Sequence, residues 1–291
     1  MDDTTVTAYL RRIGARRPAR PDADALRDLQ ERHLLAVPFE NLSIHLGEPI
    51  DLDEAALIDK IVHRRRGGFC YELNGAFAAL LRALGYPVLL LAARMFEDDT
   101  PGPPFDHLAL RVDAPEPLLV DVGAGRFARR PLRLDSRADQ HDVEGVFRIV
   151  ETPTGDLDVL RDGRPVYRLE TRPRELADFG VACWWHQTSP GSTFTRSLTC
   201  SRATPTGRVT LSGTRLVRTE HGRRTEQELA GDAAVLAAYR THFGIELDRV
   251  PVVHDDRGTG PASSPAQATQ LGLHVGSGPA LATTTGDGLL E

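Results

Sequence analysis

Residues 64–75 read RRRGGFCYELNG. Gly67 and Gly68 lead straight into an apolar run at helical spacing, Leu73, Phe77, Leu80, Leu81 and Leu84, which ends at Gly85 and is stopped by Tyr86-Pro87. That pattern predicts a helix beginning near Cys70, with glycine at its C-terminal end. The turn therefore sets the Cys70 thiol at a helix N-terminus. Backbone N–H groups and the positive end of the helix dipole face a sulfur placed there.

Working upstream, three segments repeat the helical period. TAYLRRIG carries Tyr9, Leu10 and Ile13 on one face. In DADALRDLQERHLL, capped by Asp22, the face is Leu26, Leu29, His33 and Leu34. In DEAALIDKIVHRR it is Leu57, Ile58, Ile61 and Val62. Residues 1–85 thus read as a helical bundle. Downstream of Val88 the period changes to that of strands: VLLLAARMF, HLALRV, PLLVDV, VFRIV, LDVLRD and PVYRLE, separated by Pro, Gly and Asp. This predicts an antiparallel β region, a small barrel, over 86–190. Residues 172–187, RPRELADFGVACWWHQ, return to helix. FTRSLTCSRA, RVTLSGTRLVRTE and RRTEQEL then read as strands and hairpins, and DAAVLAAYRTHFG as a last helix ending at Gly244. Residues 254–291 are rich in Gly, Ala, Thr, Ser and Pro and read as a disordered tail. The fold class is α+β.

Composition narrows the function. With 41% apolar and 26% charged residues, the 291-residue chain is an ordinary globular protein of about two domains by length alone. A net charge of -6 argues against nucleic acid as a partner. Three cysteines, Cys70, Cys183 and Cys200, make a poor disulfide framework. The N-terminus has no apolar secretory core, and the longest apolar run, PVLLLAARMF, is too short to span a bilayer. No membrane partner is expected, and the location is read as cytoplasmic. His63, His141, His186 and His221 have no spacing suited to a metal, so none is expected. Lys60 is the sole lysine, a pattern attributed to GC-rich codon bias.

Two further residues complete a constellation with Cys70. His107 opens FDHLALRV, and Asp121 closes the strand-like part of LLVDVGAG. A thiol, a proton acceptor and a carboxylate to orient it are the parts of nucleophilic thiol catalysis. A helix N-terminus and a nearby imidazolium both favour the thiolate. A thioester is its natural partner, because thiolate exchanges readily with a thiol leaving group of similar basicity. Taken singly, each residue has a plainer role: a buried cysteine, a polar strand end and a turn-forming aspartate.

Read together, VPFENLSIHLGEPI, KIVHRRRGGFCYELNGAF, FDHLALRV and LLVDVGAGRF closely resemble the arylamine N-acetyltransferases, over Val6 to about Val250. The resemblance implies a helical bundle carrying Cys70, a β-barrel carrying His107 and Asp121, and an α/β lid over 191–253, with the triad arranged as in cysteine proteases. It implies acetyl-CoA as co-substrate and a ping-pong reaction through acetyl-Cys70, with an aromatic amine or hydrazine as acceptor. Glu40 and Arg66 map onto a structural brace. Gly123 and Gly125 are candidates for approach to CoA. Where the family has an aromatic residue in contact with the acceptor, this chain has Ala124, which either opens the pocket or leaves Phe127 to pack there. Trp184 and Trp185 on the 172–187 helix are candidates to wall the acceptor pocket, with core packing the favoured expectation. Ser192, Thr193 and Phe194 match a segment near lid and cleft.

The nearest rival is an amide synthase of the same family, releasing a polyketide chain as a macrolactam. More distant are a thiol protease or transglutaminase, and a binding protein that keeps the scaffold. The oligomeric state is not legible in the sequence.

Overall fold

Asp2, Asp22 and Asp53 each turn a carboxylate oxygen onto a backbone N–H at a helix start. In this computed structural model, which describes residues 1–253, the helices they cap run Asp3–Arg12, Ala23–Ala36 and Glu54–Ile58. Each such cap is worth about 1 kcal/mol. The tail assigned to 254–291 lies outside the described residues. The next long helix, Cys70–Ala83, starts where the glycine turn predicts. Its first turn is closed by Glu72, whose carboxylate accepts the Phe69 N–H at 3.1 Å. Every residue from Cys70 to Leu81 is buried, as befits a helix apolar on all sides and wrapped by its neighbours. The turn must be glycine because chain touches chain there. A Cβ on Gly67 would lie 1.9 Å from the Pro38 carbonyl oxygen, and one on Gly68 2.6 Å from the Glu72 carboxylate.

The third helical segment departs from expectation. Instead of one α-helix, Glu54–Ile58 widens into a π-helix over Asp59–His63. On that wider turn Lys60 is buried, its ammonium 2.5 Å from Glu72 Oε1. An apolar period does not anticipate a lysine on the inward face.

The six predicted strand runs are present as Val88–Glu97, His107–Asp113, Pro117–Val120, Gly145–Glu151, Leu157–Arg161 and Arg164–Arg174. With the short strands Leu132–Arg133 and Gln140–Asp142 they form one antiparallel sheet, nine-stranded once Thr100–Pro101 is included. The sheet curls until its two end strands face each other. There the Gln140 amide accepts the Arg133 N–H at 2.7 Å and donates to the Arg133 carbonyl at 3.1 Å. A side chain thus bridges the seam where ladder bonds stop, leaving a nearly closed barrel with little unpaired edge. Leu91, Leu119, Phe127, Phe147, Tyr167 and Leu169 fill its interior.

Two local readings are corrected. The Arg164–Arg174 strand runs on into the stretch read as helix, pairing Pro173 with Leu91 and Arg174 with Leu90. Helix begins only with a 3-10 turn at Leu176–Phe179 and continues as Gly180–Thr188. Likewise Thr193–Arg196 is a helical turn capped by Ser192, not the start of a strand.

The C-terminal part is a meander of Cys200–Thr204, Gly207–Ser212, Arg215–Glu220 and Arg223–Glu228. Its fifth strand is Phe39–Glu40 from the N-terminal region, antiparallel to Cys200–Thr204 with Phe39 opposite Ser201. Leu42 and Leu46 join Val235, Tyr239 and Phe243 in the core beneath this sheet. No helix among the described residues is long and apolar enough to cross a membrane.

Candidate active site

Cys70 is the first residue of its helix, and Asn74 follows one turn later on the same side. The helix packs against the His107–Asp113 strand, whose neighbour Pro117–Val120 delivers Asp121 at its end. These three elements bring Cys70, His107 and Asp121 together. All three are buried, at 3%, 2% and 0% exposure, so each must find its polar partners within the protein.

They do. His107 Nε2 and Asp121 Oδ2 are 2.7 Å apart. That leaves Nδ1 as the ring nitrogen to meet the Cys70 thiol, with which the ring also interacts. Burial disfavours the imidazolium, but the Asp121 carboxylate and the Cys70 sulfur outweigh it, and His107 is pushed up to about 10. The other carboxylate oxygen, Asp121 Oδ1, accepts from Asn74 Nδ2 and from the Gly123 N–H, each at 2.9 Å. Asn74 is fixed in turn, donating to the Leu108 carbonyl at 2.6 Å and accepting from the Val122 N–H at 2.9 Å. The sequence reading gave Asn74 no role, although its spacing of four from Cys70 on one helix placed it on that side. Tyr167 was also missed. Its ring lies on His107, centroids 5.3 Å apart. Its buried hydroxyl faces Asp121 without reaching hydrogen-bond geometry. Burial and that carboxylate together hold it protonated, well above the usual tyrosine range.

On the other side of the sulfur, the Asp106 carbonyl oxygen is 4.0 Å from Cys70 Sγ. Phe105, just before it, sits at φ +61°, a costly conformation for an aromatic residue. The Tyr71 hydroxyl secures it, donating to the Phe105 carbonyl at 2.7 Å and reaching that of Asp106 at 3.3 Å.

The sulfur opens into a cavity of about 230 Å³. Gly123 and Ala124 line it, as do Thr193 and Phe194 from the segment after the Gly180–Thr188 helix. Gly125 does not line it; it takes φ +70° beside the Phe39 ring. Phe127 is a correction: instead of packing on an acceptor it is buried in the barrel, stacked on Tyr167 at 5.3 Å and edge-on to Phe147 at 5.0 Å. The tryptophans correct the favoured core expectation: Trp184 is 63% and Trp185 38% exposed, so neither is a core residue, while Trp185 takes the alternative role and walls the cavity. Ser192 is buried and shares a 3.2 Å contact with His186 Nδ1. No group of three or more His, Cys, Asp or Glu suited to a metal occurs among the described residues.

The expected brace is present. Arg66 Nε donates to Glu40 Oε1 at 3.1 Å and Arg66 NH1 to Glu48 Oε2 at 3.1 Å, and both Arg66 and Glu40 are buried. Burial opposes ionisation of Glu40, but Arg66 and Lys60 hold it below the usual carboxylate range. Glu72 goes the other way: burial outweighs Lys60 and raises it.

The N-acetyltransferase family model matches residues 22–252. The arylamine N-acetyltransferase of Mycobacterium tuberculosis H37Rv is 38% identical over 253 residues, 83% of this chain and 89% of that protein. Among solved structures, the Mycobacterium marinum arylamine N-acetyltransferase in complex with CoA has a TM-score of 0.76 at 35% identity, covering 82% of this chain and 92% of that one. The Salmonella typhimurium enzyme of the same name has a TM-score of 0.79 at 29% identity, covering 86% and 94%.

Proposed function

Because the chain belongs to the arylamine N-acetyltransferase family, we propose that it carries an acetyl group from acetyl-CoA to an aromatic amine or hydrazine by way of acetyl-Cys70. The observation that supports this most is the His107 imidazole held between Asp121 and the Cys70 sulfur at the floor of a cavity.

In the first half-reaction the Cys70 thiolate attacks the acetyl carbonyl and a new sulfur–carbon bond forms. The tetrahedral intermediate expels the CoA thiolate, which takes the proton from the His107 imidazolium. In the second, the amine attacks the Cys70 thioester while His107, now neutral, takes a proton from the amine nitrogen. Collapse releases the amide and restores the thiolate–imidazolium pair. Asp121 keeps the ring in one orientation and one tautomer throughout. Gly123 lines the cavity beside the sulfur, where the pantetheine arm would approach. Ala124 leaves room for the acceptor. The same M. marinum comparison supports CoA as the leaving thiol.

Initial rates of free CoA release, measured across acetyl-CoA and arylamine concentrations, test this reading. Parallel reciprocal plots are the expected ping-pong result. Intersecting plots, or CoA release indifferent to any amine, would contradict it.

A further inference from the structure

Cys70's cavity has a second histidine–carboxylate pair in its lining, besides His107 and Asp121. His186 Nε2 lies 3.2 Å from Asp106 Oδ1, with side chains only 6% and 16% exposed. The imidazole is held by Ser192 on its other nitrogen and stands edge-on to Trp185 and Phe194, ring centroids 5.1 Å away in each case. Both members line the cavity, and the backbone carbonyl of Asp106 is the one beside the sulfur. The mechanism above makes no use of this pair.

Charge counting gives the pair a consequence. With His186 neutral, the pair carries one negative charge; with His186 protonated, it carries none. In neither state does it offer net positive charge. The remaining acid on the cavity wall is Glu97, exposed at the rim, and among the described residues no lysine or arginine lines the cavity. Arg126, on the loop after Ala124, points its guanidinium to Glu144 at 2.9 Å and is not part of the lining. An acceptor with a carboxylate would therefore enter a site that holds acids and no unpaired cation, at the short range and reduced screening where like charges repel most. One with an ammonium or amide N–H would find an acceptor oxygen in Asp106.

Resting on the acetyltransferase reading, we propose that the Asp106–His186 pair selects acceptors by charge: neutral and cationic arylamines are taken and carboxylated arylamines are refused. Asp106 acts as a specificity-determining residue for the second half-reaction.

Three arylamines of matched length test it: 4-aminophenylacetate, its amide, and 4-(2-aminoethyl)aniline, in all of which at least one methylene separates the ring that bears the reacting nitrogen from the charged or amide group. The wild-type protein should use the amide and the ammonium compound with kcat/KM at least about tenfold above the carboxylate. In Asp106→Asn the ratio of ammonium to carboxylate should fall several-fold. The readout is a ratio within one protein, so a general loss of folding or turnover cancels, and a purely structural role would lower all three acceptors in proportion. Equal use of the carboxylate and the amide by the wild type, or a ratio unchanged in Asp106→Asn, overturns the proposal and leaves the transferase reading standing. Failure of every arylamine to be acetylated overturns both.

Discussion

His107 Nε2 stands 2.7 Å from Asp121 Oδ2, across two neighbouring antiparallel strands joined by a short turn. The remaining oxygen of Asp121 is already engaged by Asn74 and the Gly123 N–H, so the carboxylate cannot rotate without giving up two hydrogen bonds. In Asp121→Asn the amide oxygen can take over those two bonds, which points the amide NH₂ at His107. The ring must then accept at Nε2 and carry its proton on Nδ1, the nitrogen facing the sulfur. Turnover should fall by about 10³- to 10⁴-fold with little change in far-ultraviolet circular dichroism. A loss under tenfold would show that tautomer control is unimportant here.

His107 also makes stability depend on pH. An unfolded imidazole titrates near 6.5, whereas in the fold burial is outweighed by Asp121 and Cys70 and the value is about 10. The folded state therefore binds the proton more tightly, and the stabilisation is fully present below pH 6.5 and lost as pH rises through about 10. Urea unfolding measured from pH 6 to above 10 should show a decline across this window that is shallower in His107→Asn.

The two buried ion pairs should respond differently when the cation is removed. Glu40 is held below the usual carboxylate range, so Arg66→Met leaves a charge stranded, at about 3–5 kcal/mol. Glu72 is already raised by burial and takes up a proton more readily, so Lys60→Met should cost less, about 1–3 kcal/mol. That smaller cost should shrink further as pH is lowered. Chemical denaturation of both variants at two pH values measures the contrast.

Gly123 sits where backbone meets backbone. A Cβ there would lie 2.7 Å from Asn74 Nδ2 and 2.7 Å from Cys70 Cα. Gly123→Ala should therefore cost about 1–3 kcal/mol of stability. It should also lower kcat/KM, because the displaced neighbours are the ones that set the sulfur and Asp121. Thermal melts and steady-state rates on the same preparation separate the two effects.

Much of this was legible in the sequence because it is local. The glycine turn before Cys70 marks a helix start through sterics that act within five residues, and the strand runs declare themselves by alternation. What escaped depends on distant partners. Phe39–Glu40 is a strand only because Cys200–Thr204 lies beside it. Asn41 earns its burial by donating to the carbonyls of Phe194 and Ser197, more than 150 residues away. Trp184 and Trp185 were expected chiefly in the core, yet both are turned toward solvent and Trp185 lines the cavity. His186, read in the sequence only as lacking a metal-site spacing, acquires its meaning from Asp106, eighty positions earlier in the chain.

Mass spectrometry of the full chain mixed with acetyl-CoA and no amine bears most directly on the thiol chemistry at Cys70. One added acetyl group on the peptide containing Cys70, removed when an arylamine is supplied and absent in Cys70→Ser, is the predicted result. An unmodified Cys70 peptide, while amide product still forms, would contradict a covalent acetyl-enzyme.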